Sequence, residues 1–386
     1  MNKYLISASL MAVMALTSCD NIDDVYQYGD EQADINWDDA AGRSTDALIE
    51  YFWDTDRHFF NSKSGEKDGN DWNYWPQAHA MDAVIDAYNR TGDAKYSALF
   101  DQWYEGIKQK SGGSYYNDFY DDEEWITLTM IRLYEVTKDA KYLNTAKDLW
   151  NDIKGGWNEE FGGGGLAWKH TMPYSKNACS NAPGSLIACR LYELEKNQED
   201  LEWAVKIYSW TRDNLFNPAT GAVYDGMDGR SGEINTVTLT YNQGTFLGSA
   251  LRLYKFTGDA NYLKDARRAA NYAITKGCID QSNNVLRNEG NGDGALFKGI
   301  FIRYFIELIA EPDLDPAFAN KFTTFLNNNA VMAWTKGIAD KRQILFGPSW
   351  TDGPLGATEL NAQVSGATLM EAKARFDKNN KPSFPI

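Results

Sequence analysis

Cysteine and histidine are scarce in this chain, four and three residues of 386. Cys179, Cys189 and Cys278 are scattered, and the first two fall on one predicted helix. They stand about 15 Å apart by rise per residue, too far to bridge. A disulfide scaffold is therefore excluded, and buried free thiols are expected. His58, His79 and His170 show no metal-ligand spacing, so neither a metal nor any other cofactor is expected. Basic residues are outnumbered, 38 Lys and Arg against 54 Asp and Glu, for a net charge of −16. That balance excludes nucleic acid as a partner, because phosphate binding needs a basic surface. No Gly-x-Ser-x-Gly and no Cys–His pairing is evident, which removes two common nucleophile arrangements. The run Gly162–Gly165 lacks the Lys-Ser/Thr of a phosphate loop. It reads as a tight turn or as room for a sugar.

A long apolar run is also missing. The N-terminal one ends at Ala15, too short for a membrane span. With Lys3 before it and Leu16-Thr17-Ser18-Cys19 after it, it reads as a secretory signal over residues 1–18 ending in a lipobox. Cys19 is then the expected lipidation site, and the acidic, polar residues 19–36 a flexible tether. The expectation is an outer-membrane lipoprotein at the cell surface or in the periplasm. It would touch the membrane through its lipid alone and be a monomer.

Aromatics are plentiful, at 14% with 13 Trp. Core packing uses most of them, and exposed Trp and Tyr faces suit sugar rings. The chain also repeats itself. DAYNRTGDAKYSAL (86–99), RLYEVTKDAKYLNTA (132–146), RLYELEKNQEDLEWA (190–204) and RLYKFTGDANYLKDA (252–266) share one pattern, and 303–322 is a degenerate fifth copy. Each reads as a helix end, a tight turn and a capped helix start. An apolar helix precedes each turn (74–90, 123–137, 178–195, 241–256, 295–310), and an amphipathic one follows (93–108, 139–152, 199–214, 259–275, 315–328). Helices at 38–53 and 358–375 complete about twelve. Alternation of buried and half-buried helices predicts an all-α, single-domain (α/α)6 barrel over 37–386, with an open solenoid as the alternative.

The connections alternate as well. Turns from inner to outer helix are short, whereas those from outer to inner are long and rich in Gly, Trp, Asn and Asp. The long loops all open on one rim, at the N-terminal ends of the inner helices, where function concentrates. Phe119-Tyr120-Asp121-Asp122-Glu123-Glu124-Trp125 lies on that rim. Helix capping alone accounts for one of its acids. Trp37-Asp38-Asp39 is a similar run, but it opens a predicted outer helix and reads as a cap. Two neighbouring carboxylates cannot both ionise cheaply, so one keeps its proton. A nucleophile beside an acid is the equipment of a retaining glycosidase, whose carboxyls stand about 5 Å apart.

The seven-residue run resembles the paired-Asp signature of glycoside hydrolase family 76. Further matches to that family are Lys176-Asn177-Ala178-Cys179-Ser180-Asn181, Tyr224-Asp225-Gly226, Tyr241-Asn242-Gln243-Gly244 and Phe297-Lys298-Gly299-Ile300-Phe301. Their order spans roughly residues 38–375. The resemblance implies an (α/α)6 barrel and a retaining endo-α-1,6-mannanase acting on mannan, with Asp121 as nucleophile and Asp122 as general acid/base. Glu124 is expected near the site. By rim position Trp72, Tyr74, Trp75, Trp125, Trp168 and Tyr241 are candidates to stack on sugars. Asn177, Asn181, Asp225, Asn242, Gln243 and Lys298 are candidates to bind hydroxyls. Each aromatic equally suits core packing, and each polar residue a helix cap. His79 and His170 stand near inner-helix starts, which leaves room for histidine acid–base chemistry of the kind sugar epimerases use on a similar toroid. A glycan-capture lipoprotein without chemistry and a mannan transglycosylase are the other readings.

Overall fold

The computed structural model describes residues 35–69 and 72–380. The predicted signal, Cys19 and nearly all of the tether lie outside the described residues.

Among the described residues, twelve helices longer than two turns alternate between two layers. The inner ones are α2 (Trp75–Thr91), α4 (Tyr120–Thr137), α6 (Ala178–Glu195), α8 (Thr240–Thr257), α10 (Gly294–Ile309) and α12 (Leu360–Asn380). The outer ones are α1 (Trp37–Phe52), α3 (Phe100–Lys110), α5 (Ala140–Lys154), α7 (Gln198–Asn214), α9 (Ala260–Tyr272) and α11 (Pro316–Thr335). Each inner helix packs on the next, and α12 packs back on α2, so the ring closes. The fold is an (α/α)6 toroid, as the alternation predicted, and the open solenoid is excluded.

Burial follows the layer. In α4 every residue from Glu123 to Ile131 is buried, because neighbours surround it. In α5 burial is confined to Tyr142, Leu143, Ala146, Leu149, Trp150 and Ile153, one helical stripe facing inward. The repeated turn works as its chemistry requires. Gly92, Lys138, Lys196 and Gly258 all adopt left-handed backbone, with φ of 69°, 61°, 56° and 71°. The next residues, Asp93, Asp139, Asn197 and Asp259, each accept a backbone N–H of the following helix. One residue thus stops a helix and its neighbour starts the next.

Several helix ends differ from expectation: α4 starts three residues earlier, at Tyr120, and α12 runs five residues further, to Asn380. The segment predicted to be helical over 93–108 is a single turn (Ala94–Ser97) followed by α3. α11 continues to Thr335, beyond the expected end at residue 328. Asn329 is buried, its Oδ1 accepting from Leu286 N at 2.8 Å and its Nδ2 donating to Phe325 O at 2.7 Å. One tertiary partner, Leu286, and the helix's own Phe325 carbonyl satisfy an amide that would otherwise favour a turn.

The long loops hold a small antiparallel sheet of β1 (Ser175–Asn177), β2 (Gly226–Asp228) and β3 (Glu233–Asn235). Among the described residues no helix is long and apolar enough to cross a membrane. Cys179, Cys189 and Cys278 are free and buried, as expected.

Candidate active site

The N-terminal ends of α2, α4, α6, α8 and α10 converge on a cavity of about 500 Å³. Asp121 and Asp122 line it, with Trp75, Trp125, Trp168, Asn177, Asp225 and Tyr241. The converging helix starts bring positive dipole ends to a cluster of carboxylates. A groove of about 680 Å³ shares Asn177 and Asp225 and continues over the small sheet past Tyr174 and Arg230.

Asp121 is the better hydrogen-bonded of the pair. Its Oδ2 accepts from Trp168 Nε1 at 3.1 Å, and its Oδ1 from the backbone N–H of Asp122 at 3.1 Å. Burial still pushes its carboxyl up to about 6, against the lowering effect of Cys179, Trp168 and the backbone. Asp122 is pushed well above the ordinary range, by burial first and then by the charges of Asp121 and Asp293. At neutral pH the pair therefore holds one anion and one proton, with the anion favoured on Asp121.

Trp168 reaches Asp121 because its loop is tied down on both sides. Tyr120 N donates to Trp168 O at 3.0 Å, and Trp168 N donates to Ser175 O at 2.8 Å. The preceding Gly162–Gly165 run has positive φ throughout. A Cβ at Gly165 would sit 2.8 Å from the Trp210 ring, so the run is a tight turn packed on tryptophan. On the opposite wall, β1 pairs with β2 so that Asn177 faces Gly226. Ala178 N also donates to Asp225 O at 2.8 Å, which sets Asn177 beside Asp225. The Asp225 carboxylate accepts from Asn242 Nδ2 at 3.2 Å and from Asn235 Nδ2 at 2.9 Å. Burial nevertheless raises its pKa.

Six expected contacts lie outside the cavity lining. Trp72 packs on Phe59 and Tyr74. Tyr74 is buried and donates its hydroxyl to Tyr115 O at 2.7 Å. Asn181 is wholly buried and clamps Leu166, accepting from its N at 2.7 Å and donating to its O at 3.0 Å. Gln243 donates to Val223 O at 2.8 Å. Lys298 is buried against Trp350 and donates to Pro348 O at 2.7 Å. Asn242 stands behind Asp225 as its donor. These side chains hold the loops that shape the cavity. Glu124 lies under the pair, buried, with neither oxygen hydrogen-bonded. Burial raises its pKa strongly, so it is neutral.

Asn73, Phe119, Cys179, Leu239, Asp293 and Phe297 also line the cavity and were not foreseen as contacts. Asp293 accepts from Trp75 Nε1 at 2.9 Å. Its signal in the sequence was an acid just before an inner helix, the same signal that marks Asp121. Phe297 stacks on Tyr241 with centroids 4.0 Å apart. Neither His79 nor His170 lines the cavity. His79 is buried behind Trp125, and burial holds its pKa near 3, so the epimerase-like arrangement is not assembled here.

Adjacent carboxyls of opposite protonation, in an aromatic cleft at the mouth of an (α/α)6 toroid, are the equipment of a glycoside hydrolase. The profile of glycosyl hydrolase family 76 matches residues 36–383, and the chain belongs to that family. It is 40% identical to the α-1,6-mannanase GH76A of Salegentibacter sp. HEL1_6, with a TM-score of 0.84 over 88% of this chain and 100% of that one. That structure is an inactive variant, with two consecutive aspartates replaced by asparagine, in complex with α-1,6-mannotriose. Bt3792 of Bacteroides thetaiotaomicron VPI-5482, a family 76 mannosidase, is 25% identical with a TM-score of 0.76, covering 90% of this chain and 100% of that one. The mannan endo-1,6-α-mannosidase DCW1 of Saccharomyces cerevisiae is 29% identical over 62% of this chain. The match spans only 56% of that relative's length.

Proposed function

We propose that this protein is a retaining, endo-acting hydrolase of α-1,6-mannosidic bonds in a mannan backbone. The observation that carries the reading is the consecutive pair Asp121-Asp122 in the cavity, with only Asp121 held by Trp168. Asp121, ionised and oriented, attacks the anomeric carbon. Asp122, protonated, donates its proton to the departing glycosidic oxygen. A glycosyl ester on Asp121 results, and Asp122, now a base, activates the water that releases the sugar. Asp225 and Asp293 add negative charge around the oxocarbenium-like transition state. Trp75, Trp125, Trp168 and Tyr241 offer apolar faces for mannose rings, and Asn177 offers hydrogen bonds.

Three further observations support this reading. The Salegentibacter α-1,6-mannanase was made inactive at two consecutive aspartates. The same enzyme binds α-1,6-manno-oligosaccharides. The groove running on from Asn177 and Asp225 leaves room for further sugars of a polymeric substrate on one side of the cavity.

The test is incubation with debranched α-1,6-mannan, with products followed by chromatography. A ladder of manno-oligosaccharides from the wild type, absent with Asp121→Ala, is expected. No products from either protein would overturn the reading and leave glycan capture. Added acceptor sugar separates hydrolysis from transfer, since a transglycosylase would extend the acceptor. We also propose a lipid anchor at Cys19, supported by Leu16-Thr17-Ser18-Cys19. Palmitate labelling that survives Cys19→Ala would refute it.

A further inference from the structure

Outside the cavity lining and beside Tyr120, three metal-ligating side chains converge. Glu123 comes from the first turn of α4, Asp152 from the last turn of α5, and His170 from the loop that carries Trp168. One ligand atom from each lies within 4.8 Å of the other two. His170 Nε2 stands 3.2 Å from Asp152 Oδ2. Glu123 is wholly buried. Its Oε1 accepts from Asn117 N at 2.7 Å, but its Oε2 has no donor.

Burial pushes the Glu123 carboxyl up to about 9, with Asp152 beside it, so a proton between the two is one available partner and a cation is the other. Several other buried carboxylates meet guanidinium groups: Asp82 and Asp86 meet Arg132, Glu371 meets Arg90, and Asp265 meets Arg212, whereas Glu124 does not. Among the described residues neither Glu123 nor Asp152 is paired with Lys or Arg, and His170 is the one basic group beside them. Two carboxylates facing each other in a buried setting are costly without compensation. One shared proton neutralises one of the two charges, whereas a divalent ion neutralises both.

We propose that Glu123, Asp152 and His170 form a divalent transition-metal site, with zinc as the ion their chemistry suits best. Two carboxylate oxygens and one imidazole nitrogen match the ligand preference of Zn²⁺, whereas Ca²⁺ and Mg²⁺ favour all-oxygen shells. The His170 and Asp152 side chains are about one-third exposed, 36% and 34%, so water has access to complete a tetrahedral shell. The imidazole is already oriented. It stacks on Tyr120 with centroids 4.0 Å apart, and its backbone N–H donates to Asp118 O at 3.1 Å.

The ion would act at a distance from the reacting atoms. It would tie the start of α4, which carries Asp121 and Asp122, to α5 and to the loop that presents Trp168. Tyr120 N already donates to Trp168 O across this junction. The site is a structural clamp on the catalytic segment, and it does not depend on which glycosidic bond is cleaved.

The experiment uses protein purified without a histidine tag and stripped with EDTA. Zinc chloride is titrated calorimetrically, with manganese and calcium chlorides in parallel, and thermal unfolding is followed with and without metal. The expected result is saturable binding of one zinc per chain. At a hundredfold excess over Kd the unfolding temperature should rise by about 3–5 °C. Glu123→Gln, which keeps an acceptor for Asn117, and His170→Ala should each abolish the heat and the shift. The His170 side chain is about one-third exposed, so its variant reports even where Glu123→Gln folds poorly. Absence of saturable zinc binding would overturn the proposal. Binding undiminished in both variants would place the ion elsewhere and overturn it equally. Calcium binding without zinc binding would overturn the assigned ligand chemistry.

Discussion

Two aromatic–acid–acid runs open helices in this chain, and their surroundings set them apart. Trp37-Asp38-Asp39 starts α1 in the outer layer, and Tyr120-Asp121-Asp122 starts α4 in the inner layer. Both pairs sit in a first helical turn, where the dipole favours acids. Asp38 is exposed and meets Arg90 at 2.9 Å, and Asp39 is exposed and lies 3.7 Å from Arg43. Asp121 and Asp122 have no basic partner among the described residues, and they line an aromatic cavity. The same local motif is a solvated cap in one place and a strained pair of carboxyls in the other. Layer, and not motif, separates the two.

The contrast is best broken by neutralising each pair in turn. Asp121→Asn or Asp122→Asn should lower kcat on α-1,6-mannan by about 10³–10⁴-fold, the usual scale for losing an acid–base or nucleophilic group. Asp38→Asn and Asp39→Asn should leave kcat within about twofold. Reducing-end release measures both, and near-wild-type activity in Asp121→Asn would return the inner pair to capping.

A smaller effect, on stability, belongs to the outer pair's partner. Arg90 donates to Asp38 and also to the buried Glu371, at 2.7 Å. Arg90→Ala strands the Glu371 charge and should cost about 3 kcal/mol in urea unfolding, because an uncompensated buried charge remains. Asp121 activity should be untouched.

Next comes a pH effect confined to the inner pair. Asp121 must be ionised to attack, so kcat/KM should fall as pH drops through its pKa of about 6. The Trp168 N–H stabilises the anion. Trp168→Phe removes that donor, raises the Asp121 pKa and moves the acidic limb to higher pH by about one unit. An unmoved limb would show that Trp168 acts only by packing. The smallest effect is Asp38→Asn on stability, expected within about 0.5 kcal/mol because an exposed ion pair contributes little.

The barrel was legible because each turn carries its own instructions. A Gly or Lys able to adopt left-handed backbone, followed by Asp or Asn, marks every inner-to-outer junction from α2 to α9. Those are local interactions, and local sequence encodes them. The rim was legible for the same reason, since loop length alternates along the chain. Within the rim, residue type did not reveal direction. Asn177 and Asn181 lie four positions apart at the start of α6, yet the first lines the cavity and the second locks Leu166. Lys298 looked like a hydroxyl ligand, but it spends its charge on Pro348 O and the Trp350 face. Asp293, from a loop more than 160 residues beyond Asp121 and Asp122, went unseen as a contact and is part of the lining.

Periodicity and capping chemistry were enough to specify twelve alternating helices, a functional rim and the acidic pair on it, because all of these depend on neighbours within a few residues. Which side chains face the cavity, how Trp168 reaches Asp121, and why Glu123 faces Asp152 and His170 depend on contacts between segments distant in the chain. Burial and charge pairing at those contacts exist only after the ring closes, and they turn a common helix cap into a candidate catalytic pair.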